Sequence, residues 1–176
     1  MSEEVGGTIL AKSGFNPITL MTMKITNEKT LSVLKDLIET NKDGQHGFQT
    51  AAEDAKDGEL ARIFTEFSTQ RASFIAELQD RVRGLGGDGS NTGSVAGSLH
   101  RGWINLKAAI TSNEPHAVLA ECERGEDAAV KAYREALDEN LDPVTRGVIS
   151  RQYASVQAAH DRVKQLRDSV VFSQKH

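Results

Sequence analysis

The chain holds one cysteine, Cys122, in 176 residues. It cannot form an internal disulfide, which fits a reducing compartment and excludes a disulfide-stapled scaffold. Only three prolines occur, Pro17, Pro115 and Pro143, so long stretches are free to form uninterrupted helices. No apolar run approaches the ~18–20 residues that a membrane span requires. A basic tract is also lacking: the net charge is −4 with both signs interspersed, and no nucleic-acid partner is expected. The first residues, MSEEVGG, are acidic and lead into no apolar h-region, unlike a secretory signal. A cytoplasmic location is the expectation.

What is present is ordinary for a soluble domain, with 38% hydrophobic and 26% charged residues, and the chain is long enough for one real core. Residues 1–25 show no clear period, since Gly6, Gly7, Gly14 and Pro17 interrupt it. They read as a flexible arm before a bundle domain at 26–171 and a tail at 172–176. A first long helix is expected from Asn27 as N-cap, with Leu31, Leu34, Leu37, Ile38, Phe48 and Ala52 on one face. It ends near AKDGEL, where Gly58 reads as a turn residue. The second carries the cleanest pattern, Leu60, Phe64, Phe67, Arg71, Phe74 and Leu78, in the alternating steps of four and three of a bundle seam. GLGGDGSNTGS at 84–94 stops it. VAGSLHRGWINLKAAI at 95–110 then reads as a short amphipathic helix.

Asn113 and Pro115 open a third long helix, which places Leu119, Cys122, Glu126, Ala129, Tyr133 and Leu137 on one face. Asp142 and Pro143 turn the chain into a fourth, with Ile149, Gln152, Val156, Ala159, His160, Val163 and Leu166 inward. The fold class is therefore all-α: an up-and-down four-helix bundle with a short extra helix in the crossover between the second and third helices. Long crossovers between hairpins characterise ferritin-like bundles. The segments LIETNKDGQHGFQTAAEDA, FTEFSTQRASFIAEL, GSVAGSLHRGWINLKAAI and ECERGEDAAVKAYREAL resemble a family of uncharacterised bacterial four-helix-bundle proteins grouped with the ferritin-like superfamily. The resemblance covers about residues 27–168. It implies a ferritin-like fold in a bacterial cytoplasm and carries no established reaction.

A ferritin-like di-iron site needs a Glu from each of two helices and a Glu-x-x-His from each of the other two. Glu126 lies on the apolar face with Glu123 at its edge, while Glu121 and Asp127 are expected to point to solvent. Gln157-Ala-Ala-His160 is a degenerate Glu-x-x-His. The second helix offers Gln70 and Arg71 and no histidine. Arg71 brings a permanent cation to the level where a dication would sit. One central polar layer of Gln45, Gln70, Arg71, Glu126 and Gln152 is expected, built on an Arg71–Glu126 ion pair. One turn away lie Asn41, Cys122 and His160. No oxyanion donor accompanies Cys122, which reads as a small core hydrophobe rather than a nucleophile. His100, Arg101 and Trp103 are candidates for a partner surface, because Arg and Trp are enriched at hot spots. The leading reading instead clamps the crossover onto the bundle through Trp103, Ile104, Leu99 and Leu106.

The expected function is that of a non-enzymatic structural or stress-associated bundle that self-associates, without a cofactor, a nucleic-acid partner or a membrane. The alternative is an oxidoreductase or iron-handling protein that binds iron or manganese through Glu126 and His160, helped by Glu123 and Gln157.

Overall fold

A computed structural model describes residues 16–89, 103, 105–112 and 114–173. They form five helices: α1 (Pro17–Asp54), α2 (Gly58–Gly84), α3 (Leu106–Thr111), α4 (Pro115–Asp138) and α5 (Pro143–Ser173). No strand occurs among the described residues.

Local chemistry sets the helix ends. Asp57 caps α2 by accepting from the amides of Glu59 and Leu60 at 2.8 and 2.9 Å, satisfying two donors that the first turn leaves open. Gly58, expected in the turn, is instead the first residue of α2. The same helix closes in a Schellman motif. Gly86 takes a φ of +78°, a conformation that costs glycine little, and the amides of Gly86 and Gly87 reach back to the carbonyls of Arg83 and Val82. Asp142 accepts from the amides of Val144 and Thr145 to open α5, and Pro143 occupies the first helical position, where its missing N–H does no harm.

The start of α1 corrects the expectation for residues 16–25. The cap is Asn16, whose side chain accepts from the Ile18 amide at 3.1 Å, and Pro17 opens the helix. Asn27 sits inside it. Asn-Pro supplied a cap and a first-turn proline, but the apolar residues that follow share no single face, so no period marked them as helix.

The four long helices pack around a common interior: α1 on α2, α4 on α5, α1 on α4 and α2 on α5. Asn41 meets Tyr133, while Phe48 clusters with Leu119 and Cys122, so α1 and α4 run antiparallel. Since α2 also runs opposite to α1, α2 and α4 are parallel. The direction order is up, down, down, up, not the simple alternation expected, because the crossover carries the chain back along the bundle before α4 begins. Of the helix expected at 95–110, α3 is the described part. His100 and Arg101 lie outside the described residues.

The core has two apolar clusters. One gathers Leu34, Leu37, Ile38, Leu78, Val82, Tyr133 and Ile149 around the α4–α5 turn. The other gathers Phe48, Phe64, Leu106, Leu119, Cys122 and Val163 toward the α1–α2 turn. Polar side chains occupy the level where the two part.

Candidate functional site

The site begins with Arg71. It falls on the seam of α2 between Phe64 and Leu78, so helix geometry carries it inward, and it is 1% exposed. The end of so long a side chain reaches across the interior, and Arg71 Nη2 donates to Glu126 Oε2 on α4 at 2.5 Å. Glu126 is 0% exposed. The Arg71 stem passes over Gly44 of α1, and its guanidinium carbon lies 5.7 Å from the centroid of the Phe74 ring, within cation–π reach. Burial pushes the Glu126 carboxyl above its ordinary value, and the charges of Arg71 and His160 oppose that rise. Arg71 Nε and Nη1, Glu126 Oε1 and Gln70 Oε1 are buried without a hydrogen-bond partner.

A hydrogen-bond relay crosses the bundle beside the pair. Asn41 Nδ2 donates to Tyr133 Oη at 2.7 Å, the Tyr133 hydroxyl donates to Gln152 Oε1 at 2.7 Å, and Gln152 Nε2 donates to Glu77 Oε2 at 2.7 Å. Each of the four long helices contributes one member, and Arg151 pairs with Glu77 at the outer end. Burial pushes the Tyr133 hydroxyl pKa upward, so it stays a donor. The relay corrects the single five-residue layer. Gln152 is buried but bonds within the relay, while Gln45 and Gln70 are only half-buried, and the Gln45 carbonyl accepts from Ser68 Oγ at 3.0 Å. Glu77 escaped the sequence reading because its place in the relay depends on the relative levels of helices that are distant in sequence.

The candidate metal ligands are not brought together. Glu126 is held by Arg71, and Glu123 pairs with Arg167. Gln157 is exposed. His160, expected in the interior with Asn41 and Cys122, lies half-buried at the bundle edge. Its Nε2 is 3.0 Å from Asp127 and its Nδ1 3.0 Å from Asp161. Burial works against the charged imidazole, yet hydrogen bonds and charge from Asp161 and Asp127 raise its pKa above the ordinary value. No group of three or more His, Cys, Asp or Glu among the described residues is arranged to hold a metal ion. Glu121, expected in solvent, is 7% exposed and pairs with Arg124 at 2.7 Å; it sits one residue from the inward Cys122, near the edge of the buried face. Burial, with help from the Glu126 and Glu121 carboxylates, pushes the Cys122 thiol well above its ordinary pKa, the reverse of what a nucleophilic thiolate requires.

Trp103 lies against the bundle, which removes the aromatic anchor from the candidate partner surface. Its indole fills a slot between α1 and α4. A Cβ at Gly47 would fall 2.2 Å from Trp103 Cε3, and one at Gly125 would fall 2.2 Å from Cε2. Only glycine at both positions admits the ring. Phe48 meets it edge-on at a centroid distance of 5.1 Å. Mid-helix glycines were the available signal: each costs roughly 1 kcal/mol relative to alanine, so Gly47 and Gly125 called for a packing reason.

The arrangement defines an all-helical protein whose interior is organised by an ion pair, a hydrogen-bond relay and an intercalated tryptophan. The chain belongs to the family of a domain of unknown function, DUF2383, whose model matches residues 29–139. That match contains Arg71, Glu126, Trp103 and both slot glycines. None of the curated proteins compared matches the chain.

Proposed function

We propose that this protein is a non-enzymatic, ferritin-like bundle of the bacterial cytoplasm, a structural or stress-associated component that self-associates. The observation that carries this reading is the hydrogen bond between Arg71 and Glu126. It sets a guanidinium that never loses its charge against a carboxylate that is fully buried in the bundle interior. The helix order and long crossover support the ferritin-like assignment. The residues at the corresponding level do not fit a di-iron centre, because His160, Glu123 and Gln157 are engaged or directed elsewhere. A cytoplasmic setting is supported by the lone cysteine. No described helix is long and apolar enough to cross a membrane.

The test is a metal count on native, tag-free protein for iron, manganese and zinc. Far less than one equivalent, before and after reconstitution, is the expected result. A stoichiometric metal that disappears in Glu126→Ala would overturn the structural reading in favour of an iron or manganese oxidoreductase or iron-handling protein built on Glu126 and His160.

A further inference from the structure

Arg71 and Glu126 meet at a single point. Only Nη2 of the guanidinium reaches the carboxylate, through Oε2, whereas an arginine and a carboxylate readily close as a fork of two parallel bonds. The other ends stay open. Arg71 Nε and Nη1 and Glu126 Oε1 have no hydrogen-bond partner among the described residues, and neither has Asn41 Oδ1. These three residues are 0–1% exposed, so bulk solvent does not reach them. A buried polar atom left without a partner costs more than an ordinary hydrogen bond contributes, and each such atom calls for an explanation. The neighbouring hydroxyls do not supply it. Ser68 donates to the Gln45 carbonyl, Thr40 to the Asp36 carbonyl and Tyr133 to Gln152.

The open atoms share one level of the bundle. Arg71 Nη1 and Glu126 Oε1 flank the contact between Nη2 and Oε2, each one covalent step removed from it. Asn41 stands one turn before Gly44 on α1, and a Cβ at Gly44 would be 3.5 Å from Arg71 Nε. The Asn41 amide already donates to the Leu37 carbonyl and to Tyr133, which leaves its oxygen as an acceptor. The chemistry of this set is selective. It holds donors from Arg71 and acceptors from Glu126 and Asn41, around a pair whose charges already cancel. An added anion would face the Glu126 carboxylate, and an added cation would face the guanidinium. A neutral molecule that both accepts and donates suits both sides. Apolar clusters close the level above and below, so that molecule must be small. Water meets each requirement, and a buried water typically makes about three hydrogen bonds to groups of this kind.

We propose that the Arg71–Glu126 level is a hydration site inside the bundle: an ordered water accepts from Arg71 Nη1 and donates to Glu126 Oε1, with its second hydrogen available to Asn41 Oδ1. The inference rests on the metal-free reading of Glu126 given above. Such a water restores to the pair part of the solvation that burial removes, and it lets two charges persist in an apolar interior. The experiment is a high-resolution crystal structure of the native protein, joined to nuclear Overhauser measurements from water to the Arg71 side-chain N–H protons in solution. The double variant Arg71→Met/Glu126→Leu serves as the comparison. The expected result is a density peak at about 2.7–3.2 Å from both Arg71 Nη1 and Glu126 Oε1, with a cross-peak from a long-lived water in the parent and no such peak in the variant. A guanidinium and carboxylate closed as a two-point fork, with no density between them and no cross-peak, would overturn the hydration site and leave the metal-free reading standing. A peak with anomalous signal at coordination distance from Glu126 would overturn both. A peak that persists in the double variant would show that the pair does not hold the water, and would overturn the proposal as well. The parent alone decides the matter if the variant does not fold.

Discussion

Arg71 and Glu126 join α2 to α4 across the diagonal of the bundle, linking two helices that pack chiefly on α1 and α5. Glu126→Gln keeps the shape of the side chain but leaves the Arg71 charge buried and uncompensated. Breaking one partner of such a pair costs about 3–5 kcal/mol, whereas replacing both with apolar residues of similar volume is often neutral. Urea unfolding is expected to show that loss for Glu126→Gln and to recover most of it in Arg71→Met/Glu126→Leu. A Glu126→Gln protein as stable as its parent would count against the pair as a structural element.

Gly44 and Gly125 should respond in opposite ways to alanine. At Gly125 the new Cβ would collide with the Trp103 indole, and overpacking of this kind costs about 1–3 kcal/mol. Because Trp103 is the sole tryptophan, its expulsion should also shift the emission spectrum to the red. At Gly44 the nearest atoms, the Arg71 stem, would be 3.5 Å away, an ordinary contact, and the helix gains roughly 1 kcal/mol of propensity. Equal destabilisation by the two substitutions, with unchanged emission, would refute the slot.

Acid should weaken the α4–α5 turn. Burial favours the neutral carboxyl of Asp142, yet hydrogen bonds from Thr145 and Arg81 outweigh it and hold the pKa at about 2, against an ordinary 3.8. A depressed carboxyl contributes stability above its unfolded value and loses it as pH falls, here between about pH 4 and pH 2. The shift corresponds to about 2 kcal/mol. The Asp142 side chain is 35% exposed, and solvent screening brings the contribution to the order of 1 kcal/mol. Asp142→Asn should remove this component from the pH dependence of unfolding; an unaltered profile would assign acid sensitivity to other carboxyls.

Cys122 should resist thiol reagents in the folded protein. It is fully buried and its thiol is held protonated. Labelling with an excess of a disulfide reagent at pH 8 is expected to follow the rate of opening and to become complete in denaturant. Rapid stoichiometric labelling without denaturant would mean that the thiol is reachable and activated.

Much of the bundle is legible in the residue order. The alternating spacing from Leu60 to Leu78 marks α2 and carries Arg71 inward as the one cation on an apolar seam, and the stripe from Leu119 to Tyr133 does the same for Glu126 in α4. What escapes is whatever depends on relative helix levels. The Asn41–Tyr133–Gln152–Glu77 relay joins residues 19 to 92 positions apart, and no local pattern encodes that meeting. His160 reads as inward from its neighbours Val156 and Val163, but it stands at the margin of their stripe, where two aspartates draw it outward. The first turns of α1 were missed because a helix without a buried face shows no period.

The division of the core into two apolar clusters bears on how the molecule opens. Among the described residues, the cluster around the α4–α5 turn has thirteen buried members and the cluster toward the α1–α2 turn has seven. Cooperative units of a protein tend to follow such boundaries, and the unit with less buried apolar surface opens at lower free energy. Backbone amides of Phe48–Ala52, Ile63–Phe67 and Leu119–Glu123 should therefore exchange with solvent deuterium sooner than those of Leu34–Ile38 and Ile75–Val82, giving a helical hairpin that breathes at the end held by Trp103 and stays shut at the other.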